Sequence, residues 1–327
     1  IGTDQIDLES ATANGIPVFN APFSNTRSVA ELVIAEIISL SRQLGDRSMQ
    51  AHQGIWLKSA EGSHEVRGKT LGIIGYGHIG SQVSIMAEAI GMRVLFYDII
   101  KKLPLGNARR CGSIIDLLQK SEFISLHVPE NNATRNMISA PEISAMKKGA
   151  FLINASRGSV VNISALAEAI KSAHLGGAAI DVFPSEPSSN KESFKSELQN
   201  LKNVILTPHI GGSTEEAQED IGAEVAQSFI SFLRLGNTRS SVNFPVVDLP
   251  VLNKDAHRLL NVHYNVPGVL KDINKIVSDL GVNIDAQYLS TNIHIGYLIM
   301  DMEKDAAYQV AKKVDELETS IRTRVLY

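Results

Sequence analysis

The sequence predicts an α/β protein: a doubly wound, parallel-sheet domain followed by a smaller βαββαβ module. Three observations carry this. From Thr70 to Thr207 short apolar runs alternate with helical stretches, the pattern that parallel pairing requires. A glycine cluster, Gly75-Tyr76-Gly77-His78-Ile79-Gly80, joins one such run to a helix. After prolines at 245 and 250 the pattern restarts as strand, helix, two strands, helix and strand, up to Tyr327.

The composition allows such a fold. Of 327 residues 44% are hydrophobic and 20% charged, enough apolar side chain for a packed core. The net charge of -4 leaves no basic footprint for nucleic acid. No apolar run reaches the roughly 18 residues of a membrane span. Cys111 is the one cysteine, which excludes an internal disulfide and any multi-cysteine metal site, and fits a reducing compartment such as the cytoplasm. No metal is expected.

Taken in order, Ile16–Asn20 reads as a short strand and about Ser28 to Leu44 as a long helix, with Val29, Leu32, Val33, Glu36, Ile37 and Leu40 at helical spacing. A polar loop follows through His64. Strand Thr70–Ile74, a helix to about Ile90 and strand Arg93–Tyr97 come next. Then helices and strands alternate at Ile114–Gln119, Phe123–His127, Pro141–Met146, Ala150–Asn154, Ile163–Ser172, Gly177–Val182 and Val204–Thr207. The strands are apolar runs such as Phe151-Leu152-Ile153, as expected when helices cover both sheet faces. Thr214–Leu235 is a helix stopped by Gly236. The tail reads as strand His257–Asn265, helix Pro267–Leu280, strands Val282–Thr291 and His294–Met302, helix Asp305–Glu318 and strand Ile321–Tyr327.

The glycine cluster has the context that gives GxGxxG its meaning. Gly75 permits the tight turn, Gly77 admits a pyrophosphate to the backbone, and Gly80 lets helix and strand pack closely. Helix-start amides at His78 and Ile79 would face the phosphates. Asp98 follows 23 residues after Gly75, at the end of the next strand. A carboxylate there accepts ribose hydroxyls of NAD and repels the extra phosphate of NADP.

Three motifs sit after strand ends, where open α/β sheets hold ligands: Ala155-Ser156-Arg157-Gly158, Asp181 to Pro187, and Thr207-Pro208-His209-Ile210-Gly211-Gly212. Together they offer one cleft a cation, a carboxylate and an imidazole. Singly, Arg157 reads equally as a surface cation, Glu186 as a turn acid, His209 as a capping residue and Asp181 as a helix N-cap.

As a set, with the opening Ile1-Gly2-Thr3-Asp4-Gln5-Ile6-Asp7 and the pieces Asn25 and Ser28-Val29-Ala30-Glu31, these motifs resemble the D-isomer-specific 2-hydroxyacid dehydrogenase family, from Ile1 to about Val247. The tail looks like an ACT domain, which narrows the resemblance to the serine-regulated, phosphoglycerate-oxidising branch of that family. The resemblance implies a Rossmann-type dinucleotide domain at 25–212, a partial flavodoxin-like substrate domain at 1–24 and 213–250 whose first strands precede Ile1, and a ferredoxin-like ACT domain at 251–327. Many short relatives have a Gly-Gly hinge before that domain; this chain reads Leu252-Asn253-Lys254-Asp255-Ala256.

The roles implied are these. His209 would exchange the C2 hydroxyl proton, Glu186 would orient its ring and favour its charged form, and Arg157 would hold the substrate carboxylate. NAD would be held by the glycine cluster, Asp98, Pro129, Ala155, Ser156, Arg157, Asp181, His209, Gly211 and Gly212. Lys58 would meet a substrate phosphate, and Asn25 with Gly211-Gly212 would form the hinge. In the tail, His263, Asn265 and Asn283 would bind L-serine in a seam with a partner chain. A second contact through the Ser28–Leu44 helix and Trp56 would complete a homotetramer. Two other readings stand beside 3-phosphoglycerate oxidation: reduction of glyoxylate, hydroxypyruvate or 2-oxoglutarate, and a non-catalytic NAD-sensing protein.

Overall fold

The computed structural model describes every residue except Ile1 and Asp4, so those two members of the opening motif lie outside the described residues. Two compact units result: 25–218, and a second built from 1–24 with 219–327.

The second unit contributes the first element, α1 (Leu8–Ala13), capped by the Asp7 carboxylate on the Ser10 amide at 2.9 Å. Ile16–Asn20 is not a strand; its one ladder contact is a bridge from Phe19 to Ser241.

In the 25–218 unit, α2 (Thr26–Arg42) ends where Gln43 turns left-handed, and α3 (Leu44–His52) starts there. Seven strands follow: β1 (Thr70–Ile74), β2 (Arg93–Tyr97), the two-residue β3 (Arg109–Arg110), β4 (Phe123–Leu126), β5 (Phe151–Asn154), β6 (Gly177–Ile180) and β7 (Val204–Leu206). The helices between them are α4 (His78–Ala89), α5 (Ile114–Lys120), α6 (Ala140–Ala145) and α7 (Ile163–Lys171). The sheet is parallel throughout, in the order β3-β2-β1-β4-β5-β6-β7.

Strand periodicity divides the core. Leu71, Ile73, Val94 and Phe96 face one layer with Val29, Val33 and Ile37 of α2 and Val83 of α4. Ile74, Ile124, Leu126 and Leu152 face the other, with Leu117 of α5, Ile143 of α6 and Leu166 of α7. The apolar stripe of α2 is therefore consumed inside its own unit. The exposed apolar surface lies further on instead, at Met49, Ile55, Leu57 and Trp56, the last 89% exposed.

Helix α8 (Glu215–Leu235) runs on into the other unit. There β8 (Ala256–Tyr264), α9 (Val269–Asp279), β9 (Ile284–Thr291), β10 (Ile295–Glu303), α10 (Lys304–Asp315) and β11 (Ser320–Leu326) complete the chain. Their antiparallel sheet has the order β11-β8-β10-β9. One face packs Leu259, Leu298 and Met300 on Ile273 of α9 and Val310 of α10. The other packs Leu260, Val262 and Tyr297 on Phe244, Val247 and Leu249. Arg258 crosses this unit almost fully buried, its Nε and Nη2 donating to Asp301 at 2.6 and 2.8 Å and its Nη1 to the Leu235 and Pro250 carbonyls at 2.9 and 3.3 Å.

Candidate active site

Because the seven strands are parallel, the loops that follow them emerge along one edge. The chain reverses its direction of winding between β1 and β4, the place where such sheets form a crevice. Gly75 stands there after β1 with a φ of +93°, and a Cβ would lie 2.2 Å from the His127 carbonyl oxygen. Only glycine fits. No side chain caps α4 at Gly77, so the helix start presents backbone to a ligand. Asp98, after β2, is half-buried; its carboxylate accepts the Tyr76 amide at 2.8 Å and the Ile100 amide at 2.9 Å. Pro129 is exposed after β4, and its carbonyl accepts the Thr134 hydroxyl at 2.6 Å.

The three motifs follow the adjacent strands β5, β6 and β7. Within the first, Asn154 is the organiser: its Oδ1 accepts the Ser156 amide and hydroxyl at 3.1 and 2.7 Å, and its Nδ2 donates to the Arg157 carbonyl at 3.0 Å. Gly158 fixes where that loop goes. A Cβ on it would stand 2.0 Å from the Phe183 carbonyl carbon, so the backbone beside Arg157 lies directly against the loop that carries Glu186. Arg157 Nη1 donates to the Ser156 carbonyl at 2.7 Å.

Glu186 binds in two directions. Oε1 accepts the Phe183 amide at 2.9 Å and Oε2 meets His209 Nδ1 at 2.8 Å. The imidazole is oriented by this pair while its side chain remains about half exposed, at 53%. His209 itself is left-handed, with a φ of +55°, an uncommon state for a residue with a side chain. Asp181 accounts for it. Its carbonyl accepts the His209 amide at 2.8 Å, and its buried carboxylate accepts the Thr207 hydroxyl at 2.6 Å and the Ile210 and Gly211 amides at 2.8 Å each. Asp181 is thus an anchor for the segment 207–211, and no helix begins there for it to cap.

The structure brings Glu186 and His209 into contact and sets the Arg157 loop on the Glu186 loop. It does not bring in Lys58, which is exposed in the irregular stretch 53–69. Gly212 lies against Asn25. In the smaller sheet, His263 is buried, with Nδ1 on Asn261 Oδ1 at 3.0 Å, and burial pushes its pKa down. Asn265 donates to the Asn292 carbonyl at 2.7 Å. Asn283 lies beyond the far end of α9, about 16 Å along an 11-residue helix from Asn265, so one chain does not join the two. Among the described residues no group of three or more His, Cys, Asp or Glu side chains is placed to hold a metal, and no helix is long and apolar enough to cross a membrane.

The sequence motifs assign no role to Asn154 or to the Thr207 hydroxyl, though Asn154 is visible as a polar end to the apolar run Phe151-Leu152-Ile153.

Residues 34–211 match the NAD-binding domain of D-isomer specific 2-hydroxyacid dehydrogenases, and residues 259–322 match an AHAS small subunit-like ACT domain. The chain is 56% identical to D-3-phosphoglycerate dehydrogenase of Dictyostelium discoideum, over all of this chain and 80% of that one. It is 56% identical to the protein of that name from Escherichia coli K12, again over all of this chain and 80% of the relative. A crystal structure of D-lactate dehydrogenase from Aquifex aeolicus with NAD and lactic acid superimposes with a TM-score of 0.66, at 33% identity, covering 75% of this chain and 78% of that one.

Proposed function

The chain belongs to the D-isomer-specific 2-hydroxyacid dehydrogenase family, and from that premise we propose that it oxidises 3-phosphoglycerate at C2 to 3-phosphohydroxypyruvate, the first step of serine synthesis. It is an NAD-dependent oxidoreductase with an ACT domain. The observation that carries the reading is the 2.8 Å pair between Glu186 and His209 beside the Arg157 loop.

The residues around β1 and β2 fit NAD. Gly75 turns tightly against the His127 carbonyl, open space lies before Gly77 where a pyrophosphate would approach, the α4 start offers amides, and Asp98 keeps carboxylate lone pairs for ribose hydroxyls. Pro129, Ala155, Ser156 and the 209–212 backbone border the same edge. When bound, NAD supplies the hydride acceptor that the oxidation of a secondary alcohol requires. With Nδ1 engaged by Glu186, Nε2 of His209 is the nitrogen left to take the C2 hydroxyl proton, and exposure lets it pass that proton to water. Arg157 binds the substrate carboxylate and polarises the C2 oxygen where negative charge develops.

Asp98→Ala narrows the preference for NAD over NADP by about tenfold or more, because each charge-assisted bond contributes about 1.5–3 kcal/mol. Ratios of kcat/KM for the two cofactors check it; a parent enzyme without preference contradicts it.

In the ACT module β9 and β11 are sheet edges, open to pairing with another chain. Such a seam brings Asn265 of one chain near Asn283 of its partner, with His263 beneath, and L-serine occupies it. The apolar cluster at Met49, Ile55, Trp56 and Leu57 makes the second two-fold contact of a homotetramer. The cytoplasm, with its reduced thiols, suits the one free Cys111. A steady-state assay with 3-phosphoglycerate, lactate, glyoxylate, hydroxypyruvate and 2-oxoglutarate, with and without serine, tests this reading. We expect highest kcat/KM for 3-phosphoglycerate, inhibition by L-serine but not D-serine, and its loss in Asn265→Ala and Asn283→Ala. Preference for another acid, or calorimetry without L-serine binding, defeats the corresponding part.

A further inference from the structure

Glu36 occupies an inward position of α2, between Val33 and Ile37, with 3% of its surface exposed. Neither carboxyl oxygen has a hydrogen-bond partner in the protein. A buried carboxyl in that situation avoids the cost of desolvated charge by keeping its proton. Burial, and after it the Asp181 carboxylate, push its pKa up to about 8. The elements packed against α2 carry other titratable groups: His78 and Glu88 on α4, Asp46, Arg47 and His52 on α3, Arg157 past β5 and His209 past β7. Asp181 follows β6, which packs on α2, and a Cβ on Gly211 would meet its carboxylate at 3.0 Å and Val29 and Leu32 of α2 at 3.5 and 3.7 Å, so Asp181 stands against the same helix and its charge acts on Glu36.

Asp181 is also the anchor of the segment that holds His209, through the Thr207 hydroxyl, the Ile210 and Gly211 amides and its own carbonyl. A neighbour that stays neutral leaves the Asp181 charge to those donors. A neighbour that ionises sets a second negative charge beside it. The geometry points to Glu36 as a positioning residue for the reaction: an uncharged carboxyl behind Asp181 that keeps the 207–211 segment, and with it the His209 ring, in working orientation. This rests on the reading of His209 as the acid/base.

The sign follows from the proton. Raising pH through about 8 charges Glu36, the anchor weakens and turnover falls; lowering pH restores both. The test compares the parent with Glu36→Gln and Glu36→Leu, two neutral replacements, of which leucine also suits the apolar site should glutamine fold poorly. Two readouts are taken near pH 7 and near pH 9: kcat, and hydrogen exchange of the Ile210 and Gly211 amides corrected for intrinsic rate. About ten in eleven Glu36 carboxyls are charged one unit above the midpoint, so the ratio of kcat at the higher to the lower pH rises up to about tenfold in the variants relative to the parent. Protection of the two amides falls with pH in the parent and holds in the variants. A pH ratio and an exchange response equal in all three proteins overturn the proposal. His209→Asn in the same series separates the two ideas: activity retained there removes the acid/base reading, while amide protection still reports on Glu36.

Discussion

His209→Asn lowers turnover by roughly 10²–10⁴-fold, the range for loss of a general acid/base, with little change in NAD affinity. Asparagine is the informative replacement because of backbone geometry. Position 209 has a φ of +55°, and asparagine tolerates the left-handed region where most residues strain it. The hydrogen bond that the residue 209 amide donates to the Asp181 carbonyl at 2.8 Å therefore survives, and so does the path of the segment 207–211. What is lost is a nitrogen that can take up and release a proton. Single-turnover kinetics with NAD titrated by fluorescence separate the two effects; a loss confined to cofactor affinity contradicts the role given to His209.

Asp301→Ala destabilises the second unit by about 3–5 kcal/mol, the cost of leaving a buried charge without its partner. Its guanidinium neighbour, Arg258, is 1% exposed and cannot reach water to compensate. The two remaining acceptors, the Leu235 and Pro250 carbonyls, are dipoles rather than charges. The double replacement Arg258→Met with Asp301→Leu recovers most of the loss, because it removes both charges and keeps the volume filled. Hydrogen exchange of the β8 and β10 amides reads the effect locally, which avoids assuming that a two-unit chain unfolds in one step. A change below about 1 kcal/mol would mean that the pair is solvated in solution.

What could be read from the sequence is what local patterns encode. Thr70–Ile74 and Arg93–Tyr97 are apolar runs with a glycine cluster or an acid at their ends, and they are the strands β1 and β2 without adjustment. Helix α3 was invisible because none of Leu44–His52 is buried, so no periodic stripe marks it. Strand β3 is two exposed arginines at a sheet edge, too short to leave a pattern. Ile16–Asn20 has strand-like composition, yet it has only the Phe19 bridge to pair with. In the site, the motif residues were legible as types in a plausible order. Their geometry was not, since the left-handed state of His209 and the contact of Gly158 with Phe183 are set by segments distant in sequence. Glu36 shows the same limit: an acid in an apolar stripe is noticeable, but its meaning depends on Asp181, far along the chain.

The Arg258 clamp has a mechanical side. One planar group grips the last turn of α8, the stretch at Pro250 and strand β10 together. A pair of glycines at this junction would act as a swivel, passing on tension but letting twist leak away. The guanidinium works instead as a welded joint at the foot of a 21-residue shaft. A small tilt of the sheet then appears as torque on α8, with a lever arm of about 30 Å along its axis. Angular displacement, not slack being taken up, is the quantity such a joint conveys.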